Sequence, residues 1–230
     1  NFDTISTRVI FIDQALQNYY LSILFSSFCL IILINGTNFI DGLNGLVLTY
    51  YLIVLSILYN LNFLEGINFT DLNSIYLCYL LFVLVIFNFL NKFYLGDSGA
   101  YLLGLLVGFI LIKIHNLNPD VSPFFIALLL WYPCFENLFS IIRKYNIGLS
   151  PIKPDVYHFH HLLFKFLKNN LKINNSNNIS SLLINFYNLI ILSFGFLNIE
   201  NTQFQIFLII VNVIFYCFIY LRLYKLNEIS

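Results

Sequence analysis

The sequence predicts an all-α integral membrane protein of about seven transmembrane helices with active-site loops on the cytoplasmic face, forming a single polytopic domain over residues 1–230. Three observations carry that expectation. Apolar residues make up 60% of the chain and charged residues only 10%, with a mean hydropathy of +0.83, where a soluble domain carries roughly a quarter charged residues. Long apolar runs alternate with short polar loops along the whole length. The basic residues fall on alternate loops, as the positive-inside rule requires.

The elements follow in order. Residues 8–13, Arg-Val-Ile-Phe-Ile-Asp, are too short to span a bilayer and read as an extracytoplasmic strand or loop. Spans are then expected at 19–34, 43–61, 75–90, 101–114, 123–142, 180–197 and 204–221. Gly104 and Gly108, four apart, form a small-residue stripe for close helix packing. Within the fifth span Pro133-Cys-Phe-Glu136-Asn137 is expected to interrupt the helix and leave a carboxylate at membrane depth. Residues 143–178 form a polar loop in which Pro151 and Pro154 delay helix and Asp155 is a candidate N-cap for a helix from Val156. His161, Lys165, Lys168 and Lys172 lie along one face of that helix, the pattern of a basic amphipathic helix on a membrane surface.

Seven spans with the loop at Asn35 inside place nine of the 11 basic residues on the cytoplasmic side, leaving Arg8 and Lys113 outside. The same parity puts three polar patches on one face: the loops at Asn35 and Gly96, and the segment 143–178. Eleven Lys and Arg balance eleven Asp and Glu, which argues against a nucleic-acid partner. Cys29, Cys78, Cys134 and Cys217 each sit inside an apolar run and read as small buried hydrophobes. The chain opens at Asn1 and contains no methionine, so it is expected to be a fragment of a longer protein.

The chemistry lies in those patches. Asn35-Gly-Thr-Asn38-Phe-Ile-Asp41-Gly-Leu-Asn44-Gly45 sets a carboxylate and three carboxamides between two apolar runs. A polar group facing lipid at mid-membrane costs roughly 2.5–3.5 kcal/mol, so the cluster should line water, a ligand or the boundary. A helix end with turn glycines explains it equally. Gly96-Asp97-Ser98-Gly99 places a carboxylate at a helix start, either as a cap or as a ligand for a hard cation. His158, His160 and His161 fall within four residues and suit phosphate or sugar contacts, a metal cluster being a weaker alternative. Glu136 reads evenly as a packing carboxylate or a substrate contact.

Four of these stretches, in order, resemble the polyprenyl-phosphate N-acetylhexosamine-1-phosphate transferases. The pattern Asn-x-x-Asn-x-x-Asp-Gly-Leu-Asn-Gly-Leu resembles that family's signature loop, with Asn44 where the family usually has Asp. Gly96-Asp97-Ser98-Gly99-Ala100 resembles its magnesium-binding motif, and Asn88 matches a polar position near the nucleotide. Pro133-x-x-Glu136-Asn137-Leu138 with Arg143 resembles a third motif, with Glu for Asp. Ser150-Pro-x-x-Pro154-Asp155-x-x-His158-x-His160-His161 resembles the histidine loop, with Val156 replacing an arginine whose contact Lys153 could supply.

The resemblance implies transfer of a sugar-1-phosphate from a UDP-N-acetylhexosamine to a polyprenyl phosphate in the bacterial inner membrane, initiating surface polysaccharide or O-antigen synthesis. It implies Mg²⁺, with Mn²⁺ as alternative, at Asp97. Asp41, Asp97 and the three histidines would be catalytic, and Asn35, Asn38, Asn44, Asn88, Glu136, Arg143, Lys153 and Asp155 would bind substrate. The family's upstream Asp-Asp pair has no match here and is expected to precede Asn1. A homodimer is compatible with the sequence. The competing readings are a secondary transporter, which needs polar groups at mid-span, and an inactive remnant of the transferase.

Overall fold

A computed structural model of the chain describes residues 6–63, 68–69, 72–73, 75–148, 150 and 157–229. The helices are α1 (Ile10–Leu16), α2 (Tyr19–Ile40), α3 (Leu46–Asn60), α4 (Ile75–Phe89), α5 (Gly96–Leu117), α6 (Pro123–Leu129), α7 (Trp131–Asn146), α8 (Phe159–Lys165), α9 (Ser176–Phe196) and α10 (Thr202–Ile229). A π-helical turn, Phe166–Asn170, extends α8, and a two-residue antiparallel pair, β1 (Asn68–Phe69) with β2 (Leu72–Asn73), precedes α4. The protein is all-α and membrane-integral in character: α2, α5, α9 and α10 are long and apolar enough to cross a bilayer, and α6 with α7 makes a fifth span if the bent pair counts as one.

Every expected span contains helix, but α3 and α4 have 15 residues each. At 1.5 Å per residue that is about 22 Å, short of the roughly 30 Å hydrocarbon layer. Among the described residues the span count is therefore four or five by length and composition, against the seven expected. Helix α3 is instead a core element, with Tyr50, Tyr51, Val54, Leu55 and Leu58 inaccessible.

Packing around α2 follows its small residues. A Cβ on Gly104 would lie 2.8 Å from Thr37 Oγ1 and 3.2 Å from Ile34 Cα, and one on Gly108 would press on Leu30 and Leu33. The glycine stripe of α5 thus brings it against α2. On the other side Gly36 meets the Pro133 carbonyl of α7, where a Cβ would overlap backbone.

The break in the fifth span falls at Leu130, where α6 and α7 meet at 74°. Proline cannot donate to the carbonyl four residues back and its ring crowds it, which frees the Leu129 C=O. The Tyr50 hydroxyl donates to that oxygen at 2.9 Å. A helix kink buried in the core is thereby satisfied from α3.

Residues 8–13 form no strand. Asp13 accepts from the Thr7 N–H (2.6 Å), the Thr7 hydroxyl (2.7 Å) and the Ser6 hydroxyl (2.8 Å), which pins the chain entering α1. Local carboxylate bonds outweigh the β-branched pattern, and Ile10 and Phe11 point outward. Arg8 reaches across the same end of the bundle, donating to the carbonyls of Glu200 (2.7 Å), Pro119 (3.2 Å) and Asp120 (2.7 Å).

Candidate active site

The C-terminal end of α2 and the first turn of α5 build one wall of the site. Close α2–α5 packing aligns them so that the Asn38 amide donates to the Tyr101 hydroxyl at 3.2 Å. Asp41 follows directly after the last residue of α2 and lies by the Gly96 N–H that opens α5. Burial, and then the neighbouring Asp97 carboxylate, push the Asp41 carboxyl up to about 7. Asp97 itself lies exposed in the first turn of α5. Two carboxylates that repel each other beside a helix N-terminus fit a hard divalent cation, which takes one or two carboxylates and completes its shell with phosphate and water oxygens. Among the described residues no group of three or more His, Cys, Asp or Glu could hold a metal unaided.

The opposite wall is the start of α8. Gly42 touches the histidines: a Cβ there would overlap His160 Nε2 and come within 2.9 Å of His161 Cε1. The His158 ring lies 5.5 Å from Phe39 and 5.7 Å from His160, and His160 lies 4.2 Å from His161. His160 is wholly buried, and neither ring nitrogen has a partner. Burial, then the imidazoles of His161 and His158, hold it neutral by lowering its pKa well below the usual histidine value. A buried polar ring with no partner is expensive and suits a site that a ligand completes.

Helix α8 starts at Phe159, with His158 in extended backbone. Asp155 and Val156, the expected cap and first residue, lie outside the described residues, as does Lys153. The described start is held by Glu136 of α7, whose Oε1 accepts from His158 Nδ1 (3.0 Å) and the Phe159 N–H (3.1 Å), while Oε2 accepts from the Tyr216 hydroxyl (2.5 Å). The basic stripe does not persist as one face, because α-helix gives way to the π turn after Lys165 and Lys172 has positive φ outside it.

The remaining expected residues are placed apart from this cluster. Asn35 faces outward and donates to Ile31 O of its own helix at 2.9 Å. Asn44 and Asn88 tie down the α2–α3 turn. The Asn44 N–H donates to Asn177 Oδ1 (2.8 Å) and its amide to Asn91 Oδ1 (2.5 Å), while Asn88 accepts from the Gly45 N–H and donates to Phe93 O (2.6 Å). A carboxylate at 44 could not make the donation to Asn91. Arg143 stacks at 5.8 Å over Tyr157, beside the start of α8.

Sequence reasoning passed over Tyr216, Tyr101 and Lys144. Lys144 is 3% exposed, and its ammonium sits 5.9 Å from the Phe39 ring. The tyrosines lie inside apolar spans where nothing local marks them. Lys144 was visible only at the start of the polar segment 143–178.

Residues 2–115, which hold both carboxylates, match the family described as "Glycosyl transferase family 4". Over that stretch the chain is similar to glycosyl transferase family 4. It is similar to the undecaprenyl-phosphate alpha-N-acetylglucosaminyl 1-phosphate transferase of Escherichia coli (strain K12), 27% identical over 143 residues covering 57% of this chain and 38% of that protein. The like-named proteins of Haemophilus influenzae and Salmonella typhi are 33% and 30% identical over 79 residues, covering 32% of this chain and 21% and 20% of theirs. The chain thus spans well under half the length of these relatives. No solved structure matches it. The family 4 match ends at residue 115, so the histidine loop, Glu136 and Tyr216 lie beyond it.

Proposed function

We propose that the chain is part of a polyprenyl-phosphate sugar-1-phosphate transferase. It would take N-acetylhexosamine-1-phosphate from a UDP-sugar, release UMP and build the first lipid-linked sugar of a cell-surface polysaccharide or O-antigen. The observation that carries this reading is the meeting of Asp41 with Asp97 on one wall and with the His160–His161 pair, through Gly42, on the other. A diphosphate needs charge neutralisation on one side and hydrogen-bonding groups on the other, and these walls offer both.

Asp41 and Asp97 would hold Mg²⁺, or Mn²⁺, with the diphosphate oxygens; the ion supplies charge neutralisation at the phosphorus under attack. Asn38, whose amide donates to the Tyr101 hydroxyl, would orient the nucleotide sugar. His160, neutral and unpartnered, offers one donor and one acceptor to phosphate or sugar oxygens. Arg143, over Tyr157 next to His158, and the buried Lys144, against Phe39, would supply positive charge toward the lipid phosphate. A bilayer, a UDP-N-acetylhexosamine and a polyprenyl phosphate are then the partners, with the site facing the cytoplasm of a bacterial inner membrane.

The test is transfer of radiolabelled sugar-1-phosphate from UDP-N-acetylglucosamine to undecaprenyl phosphate in nanodiscs. Asp97→Asn should abolish the Mg²⁺-dependent release of UMP while the protein stays inserted, because an amide is a poor ligand for a hard dication. Unchanged turnover with unchanged Mg²⁺ dependence would return Asp97 to helix capping.

A further inference from the structure

Glu136 is 1% exposed; it accepts from the Phe159 N–H and the Tyr216 hydroxyl, and its Oε1 lies 3.0 Å from His158 Nδ1. With Phe159 N–H on Oε1 and the Tyr216 hydroxyl on Oε2, Oε1 is left to accept from the His158 ring, which puts that proton on Nδ1. The Phe159 N–H shares that oxygen, so the same contact fixes the ring and the first free amide of α8. Behind the carboxylate, Tyr216 of α10 is 3% exposed and wedged among Phe135, Phe139 and Phe159, with ring centroids 5.0–5.4 Å away. Its hydroxyl therefore has one position, on Oε2.

We infer that Glu136 is a positioning residue and not a substrate contact. Backed by Tyr216, it fixes His158 in the Nδ1–H form and leaves Nε2 as the nitrogen that meets the ligand. In the neutral ring that nitrogen accepts from a sugar hydroxyl. Once protonated it donates to a phosphate oxygen, with the Glu136 carboxylate balancing the charge. The identity of the ligand rests on the transferase reading, whereas the tautomer and the Tyr216–Glu136–His158 chain do not. Tyr216 thereby brings the last helix, outside the family 4 match, into the site.

The experiment has two arms. Nitrogen-15 spectra of the histidine-labelled chain in nanodiscs should show His158, assigned by its loss in His158→Gln, protonated at Nδ1 with Nε2 bare at neutral pH. In the transfer assay, Tyr216→Phe keeps the ring packing and removes only the hydroxyl. It should lower kcat about 10-fold and leave KM for UDP-N-acetylglucosamine within about twofold, because losing the hydroxyl frees the carboxylate that orients the imidazole, and general acid–base or hydrogen-bonding groups are typically worth about 10²–10⁴-fold when fully lost. Glu136→Gln, isosteric but uncharged, should show at least the same loss. Protonation of His158 at Nε2 in the unaltered chain would overturn the inference, as would wild-type kcat in both variants. Failure of the unaltered chain to transfer sugar would count against the transferase reading alone, since the tautomer is read without turnover.

Discussion

Asp41 combines a carboxylate, a buried position and a like charge beside it, and its titration reports on all three. Its carboxyl stands at about 7 where an unfolded aspartate stands near ~3.9. Because the folded state keeps a proton that the unfolded state has released, this group makes the metal-free protein less stable as pH rises from about 4 to about 7. It adds no further change above that. A divalent ion must displace the same proton, so Mg²⁺ affinity should weaken about tenfold per unit below pH 7 and level off above it. Calorimetric titration with MgCl₂ across that range checks the slope. In Asp97→Asn the Asp41 midpoint should drop yet stay above the ordinary carboxylate range, because burial, the larger cause, remains. At this scale the sequence was legible where a residue's chemistry is its own. Asp41 lies beside Asp97, and its neighbour Gly42 touches His160 and His161. Asn35, Asn44 and Asn88 carry the same amide, but their partners, Ile31, Asn91, Asn177 and Phe93, are set by tertiary contacts that spacing does not encode.

Helices in this protein are positioned by what their small residues and prolines permit. The glycine stripe of α5 and the break in the fifth span were both readable from sequence. The position of the break was not, since Pro133 acts on the carbonyl four residues earlier and the bend opens at Leu130. The helix at 159 was likewise expected, but its described start depends on a carboxylate 23 residues upstream in another helix. Gly36 shows how sharply such contacts are set. A methyl there meets the backbone carbonyl of Pro133, which has no flexible end to yield. Gly36→Ala should destabilise the protein by about 1–3 kcal/mol, the range for overpacking a close contact. Gly96→Ala meets nothing within 4 Å, so its effect should come from positive φ alone. Thermal unfolding in detergent should rank the two, with Gly36→Ala the lower.

Across the whole molecule the chemistry collects at one end. Asp41 ends α2, Asp97 opens α5 and the histidines open α8, while Arg8 gathers the loops at Pro119–Asp120 and Glu200 at the other end. Polar groups at helix ends on a common face distinguish this arrangement from a transporter site at mid-span. Single cysteines at Ser98 and Asn175, both exposed, should be labelled from one side of the membrane, and one at Asp120 only from the other. Labelling of Ser98 and Asn175 from opposite sides would separate the walls of the site. The overall helical class was plain from composition. The number of spans was less plain: by length and composition four of the described helices, or five with the bent pair, can cross, and α3 and α4 are shorter apolar helices.

The central claim is that one metal–diphosphate site lies between Asp41–Asp97 and the histidines. The four histidines provide the probe, since His115 sits at the far end of α5, 18 residues from Asp97 and so about 27 Å along the helix. Mn²⁺ with UDP, added to the histidine-labelled chain in nanodiscs, should broaden the nitrogen signals of His158, His160 and His161 and spare His115. Asp97→Asn should abolish that broadening. Equal broadening of His115, or no effect on the three clustered histidines, would contradict the account.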